Sequence, residues 1–191
     1  MTGSKRVIGA TAKRHGKEFE ASLEQWFSLQ SAQKNWIDIR KQNEALKPVR
    51  PIGKGQFLAV YTKSSGCDYF GTMMGGTSIV LEAKHRENDR ISQTDLTDAE
   101  WEHLTATATL GGYAMLITEF ADRRMFLFPA TLLSHSQLVY KFKHIKEKDL
   151  IRDGYEITFN DSLYEKIKNN SNKAFKVLVE VRNRKEDYGL R

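Results

Sequence analysis

The sequence predicts an α/β or α+β domain, a sheet flanked by at least two helices, and three observations carry this. Residues 16–29 place Phe19, Leu23, Trp26 and Phe27 at i, i+4, i+7 and i+8, one apolar helical stripe. Residues 97–110 open with a helix-start signal and close at Gly111-Gly112. Around these helices lie short apolar runs bounded by turn residues, which read as strands. The order is helix, strand, long connection, strand pair, helix, strand, strand.

Length and composition set the bounds. A chain of 191 residues, 40% hydrophobic and 28% charged, supports one domain with an ordinary core and is not disordered throughout. The net charge of +6 favours a polyanionic partner, nucleic acid or an anionic membrane surface; a basic domain with neither stays open at this point. Cys67 is the one cysteine, which excludes an intrachain disulfide and a cysteine-based zinc site. Residues 1–16 lack the apolar core of a signal peptide. Aliphatic runs such as Ala114–Ile117 are far too short to span a bilayer, so a cytoplasmic protein without a membrane partner is expected.

In chain order, residues 1–15 carry Lys5, Arg6, Lys13, Arg14 and His15 and read as a flexible basic arm. The first helix follows, with Glu20 and Glu24 beside its apolar stripe. Trp36–Arg40 alternates as a strand. The segment at about 41–57 holds Pro48, Pro51, Gly53, Gly55 and several cations; it cannot continue a helix or central strand and reads as a loop or protruding basic hairpin. Phe57–Tyr61 resumes an extended run. Glu87–Asp95 reads as a mobile polar loop. Thr97 as N-cap with Glu100 at N3 makes a capping box, and Leu96 with Trp101 a hydrophobic staple. Tyr113–Phe120 and Met125–Phe128 are strands, joined by the turn 121–124. In the tail, Lys166–Lys173 reads as polar helix or loop and Val177–Val181 as a strand. No repeat or sharp composition shift marks a second domain, so residues 16–191 form one domain. Candidate phosphate contacts are Lys13, Arg14, Lys47, Arg50, Lys54, Lys63, His85 and Arg86.

The chemistry concentrates between Gly66 and His85. Gly66-Cys67-Asp68-Tyr69-Phe70-Gly71 and Ser78-Ile79-Val80-Leu81-Glu82-Ala83-Lys84-His85 read as two strands of a hairpin joined through Met73-Met74-Gly75-Gly76. Glu82 and Lys84 share one face of their strand. Lys84 paired with Glu82 alone is one reading. The other adds Asp68: two carboxylates as hard oxygen ligands for Mg²⁺, with Mn²⁺ as substitute, helped by the Ala83 carbonyl, and Lys84 orienting a water against a phosphodiester. Parity decides between them. A two-residue turn at Gly75-Gly76 puts Asp68 and Glu82 on opposite faces, so a shared metal requires an odd loop such as Met74-Gly75-Gly76, a bulge, or an Asp68 outside the ladder.

The ordered set of a helical Glu, an Asp and Glu-x-Lys resembles the PD-(D/E)xK nuclease superfamily. Gly16-x-x-Phe19-Glu20, Gly66-x-Asp68-Tyr69-x-Gly71, Glu82-Ala83-Lys84, Glu102-His103-Leu104, Gly111-Gly112-Tyr113-Ala114 and Phe126-Leu127-Phe128-Pro129 are together similar to the RecU-type Holliday-junction resolvases, over roughly residues 14–165. The resemblance implies a restriction-endonuclease-like mixed central sheet flanked by helices, a homodimer, and a basic stalk at 41–57 that enters a four-way DNA junction. It implies catalytic roles for Asp68, Glu82 and Lys84, with Glu20 a fourth member near the metal. Gln93 and His103 match the family weakly, and Cys67 stands where the superfamily name has Pro. These departures fit a phage- or mobile-element-borne relative, in the bacterial cytoplasm or nucleoid. A restriction-like DNA endonuclease on the same fold and a non-catalytic DNA-binding module are the alternatives. The five histidines form no HExxH or i, i+4 metal pair, and no Ser or Cys nucleophile motif is present.

Overall fold

The computed structural model describes residues 3–34, 36–42, 46–54, 56–61 and 66–187. Its centre is a six-stranded sheet in the order β1 (Ile37–Lys41), β4 (Tyr69–Met73), β5 (Thr77–Arg86), β7 (Tyr113–Phe120), β8 (Met125–Pro129) and β10 (Glu156–Ile157). Only β5 and β7 run parallel; all other neighbours are antiparallel. A parallel neighbour needs a crossover, and α2 (Asp98–Thr109) lies in it. The sheet is therefore mixed and flanked by helices, as expected.

Side-chain alternation along the strands divides the apolar residues into two cores. Ile79 and Leu81 join Tyr69, Met115, Ile117 and the Phe19, Leu23, Trp26, Phe27 stripe of α1 (Gly3–Lys34). Val80, Ala114 and Leu116 point the other way, to Leu96 and Leu104 at α2. The long C-terminal helix α6 (Leu163–Asp187) places Leu163 and Ile167 in the first core and Ala174 in the second. Asn170 ties it to the sheet, its Nδ2 donating to the Leu127 carbonyl at 2.6 Å.

Four expectations are corrected here. The arm over residues 1–15 is helical from Gly3, as the start of α1; its Ala, Lys and Arg residues extend a helix already nucleated by the docked stripe. Glu87–Asp95 contains strand β6 (Arg90–Ser92), paired with β9 (His144–Lys146), and a 3₁₀ turn at Gln93–Asp95. Ile91 is the reason: a single apolar side chain, fully buried with Ile145, anchors an otherwise polar segment. The Val177–Val181 run is helical within α6, because propagation from the docked turns outweighs β-propensity. The basic insertion does form a hairpin, β2 (Leu46–Gly53) against β3 (Gln56–Tyr61), but it extends past residue 57. Gln42 N donates to Asp68 O at 2.7 Å, which pins the two legs of the insertion together where it leaves and rejoins the sheet. Phe57–Tyr61, an apolar run that resembles a sheet strand, is the return leg of that hairpin. Three short helices, α3 (Ala130–Ser134), α4 (Ser136–Tyr140) and α5 (Glu147–Arg152), complete the order.

β4 lies between β1 and β5 with almost no room at Gly71. A β-carbon there would overlap the Asp38 carbonyl on β1. Gly71→Ala is expected to destabilise the fold by about 2–4 kcal/mol, read as a lowered urea midpoint.

Candidate active site

The β4–β5 register sets the site. Met73 pairs with Thr77 and Tyr69 with Leu81, so the connection is the three-residue loop Met74-Gly75-Gly76. Both glycines have positive φ, 93° and 84°, which side-chain-bearing residues rarely adopt. Continuing the register one step past Tyr69 sets Asp68 opposite Glu82. The side chains then tie the two strand ends together. Asp68 Oδ2 accepts from the Ala83 N–H at 3.0 Å, and Glu82 Oε2 accepts from the Asp68 N–H at 3.1 Å.

Glu82 and Lys84 continue the Val80 face toward α2. The Lys84 ammonium lies 2.6 Å from Glu82 Oε1 and 2.9 Å from Glu100 Oε2. Glu100 is the N3 residue of α2. The same Oε2 accepts from the Thr97 N–H at 2.9 Å, and the Thr97 hydroxyl accepts from the Glu100 N–H at 3.3 Å. The capping box thus holds Lys84 in place as well as starting a helix. His103, one turn on, accepts at Nδ1 from the Cys67 N–H at 3.1 Å and fixes the approach to Asp68.

Glu20 lies on α1, on the other side of the sheet. Its Oε2 lies 2.9 Å from Lys41 Nζ, which also holds Glu24 Oε1 at 2.7 Å. Tyr69 Oη donates to the Glu20 carbonyl at 3.4 Å, which fixes α1 over the strand.

Electrostatically the centre is short of positive charge. Glu82, 1% exposed, has its carboxyl pushed up to about 8 by burial and then by the Asp68 charge, against the pull of Lys84. Burial also raises Asp68, offset in part by the Ala83 N–H, and the Glu20 charge adds to the rise. Burial alone would lower Lys84, but Glu82 and Glu100 outweigh it and hold the ammonium charged. The Cys67 thiol is pushed up, first by burial and then by Glu82 and Asp68, which leaves it no thiolate for nucleophilic attack.

The structure thus brings together Asp68, Glu82, Ala83 and Lys84, with the Glu20 charge close enough to act on Asp68. It adds Glu100, whose second role was hidden behind its capping signature, and Lys41, which neutralises Glu20. Arg14, Arg50 and Lys54 are exposed, the latter two on the hairpin. Arg86 is paired with Asp95 at 2.9 Å. Lys63 lies outside the described residues, and Lys13 and Lys47 are described only as backbone of α1 and β2. His85 is a correction. Its side chain is 4% exposed and held between Glu119 and Glu87, surroundings that repel a phosphate. Gln93 is exposed in the 3₁₀ turn.

No curated protein sequence matches significantly. Among solved structures, the fold is similar to that of Archaeoglobus fulgidus Hjc, described as a Holliday junction resolvase from an archaeal hyperthermophile. That likeness has 17% identity and a TM-score of 0.45, and covers 80% of this chain and 98% of that one. The sequence profile of RecU, Recombination protein U, matches residues 14–172. That match takes in α1 from residue 14 on, the inserted hairpin, the whole central sheet and the carboxylate–lysine cluster, and the chain therefore belongs to the RecU family of Holliday-junction-resolving nucleases.

Proposed function

We propose that the chain resolves four-way DNA junctions by paired, Mg²⁺-dependent nicks, with Asp68, Glu82, Lys84 and Glu20 as the working residues. The observation that carries this is the facing pair Asp68 and Glu82, one partly buried and one buried carboxylate at adjoining strand ends with a charged lysine beside them. The donor set fits a hard divalent cation. It is all oxygen, and both carboxyls are raised by their own confinement, a cost that a cation relieves. A residue's N–H and C=O leave a strand on the same edge, so the Ala83 carbonyl opens toward Asp68, as its N–H does. When bound, Mg²⁺ supplies charge neutralisation at the phosphate and a more acidic water.

The protein's residues do the rest. Lys84, held by Glu82 and Glu100, is aimed where negative charge builds as water oxygen bonds to phosphorus and the opposite P–O ester bond breaks. Glu20, anchored by Lys41, adds a fourth carboxylate at the edge of the site, where it can orient that water.

The β2–β3 hairpin fits a part that enters a junction. Among the described residues its strands pair only with each other, and it exposes Arg50 and Lys54 beside Val49, Ile52, Leu58 and Val60. Paired nicks on opposed strands call for two sites, hence a homodimer. No helix among the described residues is long and apolar enough to cross a membrane, and a DNA substrate fits the cytoplasm or nucleoid.

Cleavage of a mobile four-way junction, compared with a linear duplex of the same sequence, tests the reading. The junction is expected to be cut preferentially in Mg²⁺. Replacing residues 46–61 with a short Gly-Ser link is expected to lower junction cleavage by about 10²-fold, because the branch point is no longer positioned. Preferential cutting of the linear duplex would replace the resolvase reading with a restriction-like one.

A further inference from the structure

The alternation that sends Glu82 and Lys84 toward α2 sends Ala83 and His85 toward α1. A second cluster forms there, away from the carboxylate–lysine face. His85 Nδ1 lies 2.8 Å from Glu119 Oε2, its register partner on β7. Arg123 Nη1 holds the same oxygen at 3.1 Å. His85 Nε2 faces Glu87 Oε1 at 3.2 Å, and His15 Nδ1, from α1, reaches that same Glu87 oxygen at 3.1 Å. The two imidazoles meet edge to face, 5.5 Å apart at 77°. One ligand atom from each of His15, His85 and Glu87 lies within 4.8 Å of the others.

We propose that His15, His85 and Glu87 form a divalent transition-metal site of the zinc class, separate from the Mg²⁺ centre and independent of the nuclease reading. Two imidazoles and one carboxylate, with water completing the shell, form a donor set that zinc accepts and magnesium does not favour. The surroundings act as an outer shell. With an ion bound, Glu119 accepts a hydrogen bond from the Nδ1–H of His85 and leaves Nε2 free to ligate beside Glu87 and His15, the carboxylate–histidine arrangement that orients metal-bound imidazoles. Arg123 fixes Glu119 and offsets its charge, and also reaches Glu18 at 3.5 Å. Glu18 in turn contacts Arg14, so it is held by two guanidiniums and the converging oxygen belongs to Glu87. Without an ion, that single oxygen is shared between two imidazole hydrogen bonds. An ion takes the place of those two hydrogens, whose protons leave to solvent, and its three coordinate bonds join α1 to the end of β5. The histidines are 70 positions apart, so no sequence spacing announces the site.

The test uses the full chain carrying Asp68→Ala and Glu82→Ala, which removes the carboxylate centre. After chelation and removal of the chelator, Zn²⁺ is titrated in competition with a chromophoric chelator, and Co²⁺ spectra are recorded in parallel. One equivalent of Zn²⁺ is expected to bind at micromolar concentration or tighter, with Co²⁺ giving the visible bands of a low-coordinate nitrogen–oxygen site. His15→Ala is expected to abolish both signals, and Glu119→Gln to weaken Zn²⁺ by about 10–100-fold. If His85→Ala fails to fold, His15→Ala carries the test, with circular dichroism as its folding control. Absence of a Zn²⁺ equivalent, or an equivalent that survives His15→Ala unchanged, overturns the proposal.

Discussion

Asp68→Ala is expected to lower Mg²⁺-dependent junction cleavage by about 10³-fold or more while leaving junction affinity within a few-fold. The asymmetry follows from position. Asp68 is partly buried, faces Glu82 and accepts the Ala83 N–H, so on the proposed reading its loss would remove one metal ligand and free the strand end that holds another. On the same reading, affinity for a polyanion would rest on exposed cations such as Arg14, Arg50 and Lys54, which the substitution does not touch. Single-turnover cleavage and a binding assay in Ca²⁺ separate the two effects. Unchanged cutting by the folded variant would remove Asp68 from the site.

The second large effect is on stability. The Glu82 carboxyl is held up at about 8 in the folded, metal-free chain, against 4.5 as its ordinary value. A raised carboxyl means that the folded state keeps its proton more tightly than the unfolded state. The associated stability is fully present below about pH 4.5 and is lost as pH rises to and through 8. Asp68 shifts in the same direction and adds to the slope. In EDTA, Tm is therefore expected to fall between pH 5 and pH 9. Glu82→Gln keeps a hydrogen-bond acceptor for the Asp68 N–H and carries no charge to bury, so it should flatten that slope. At pH 9 it should stabilise the metal-free protein by on the order of 3 kcal/mol, roughly 5–10 °C in Tm. The same variant should be inactive, which is the signature of a residue kept for chemistry at the expense of stability. Thermal unfolding of both proteins across pH checks it. A variant that is less stable at every pH would mean that the Lys84 pair, and not the confined charge, dominates at Glu82.

How far residues announce such a site depends on the range of the interaction. Asp68 and Glu82 sit in one hairpin, so strand parity and a Gly-rich loop state in advance what their meeting requires, and the Met73–Thr77 pairing meets that condition. The capping box at Thr97–Glu100 was equally readable because it is complete within four residues. The contact of Glu100 with Lys84 was not, because it depends on how α2 lies over β5. The same holds for His85, whose place beside Glu119 and His15 arises only when β7 and α1 are in position. Val177–Val181 departs from its local signal for the opposite reason. Its local composition favours a strand, while the helix that contains it is anchored fourteen residues earlier, at Leu163. The insertion extends further than its Pro- and Gly-rich part announces because its return strand is as apolar as a core strand, although Leu58 and Val60 are exposed.

The central claim is that Asp68 and Glu82 hold one ion between them. Diffraction from crystals soaked in Mn²⁺, with data collected for its anomalous signal, tests it most directly. The expected result is a peak about 2.0–2.3 Å from a carboxylate oxygen of Asp68, a carboxylate oxygen of Glu82 and the Ala83 carbonyl. A peak bound by Asp68 or Glu82 alone, or full Mn²⁺ binding with none between them, would contradict it.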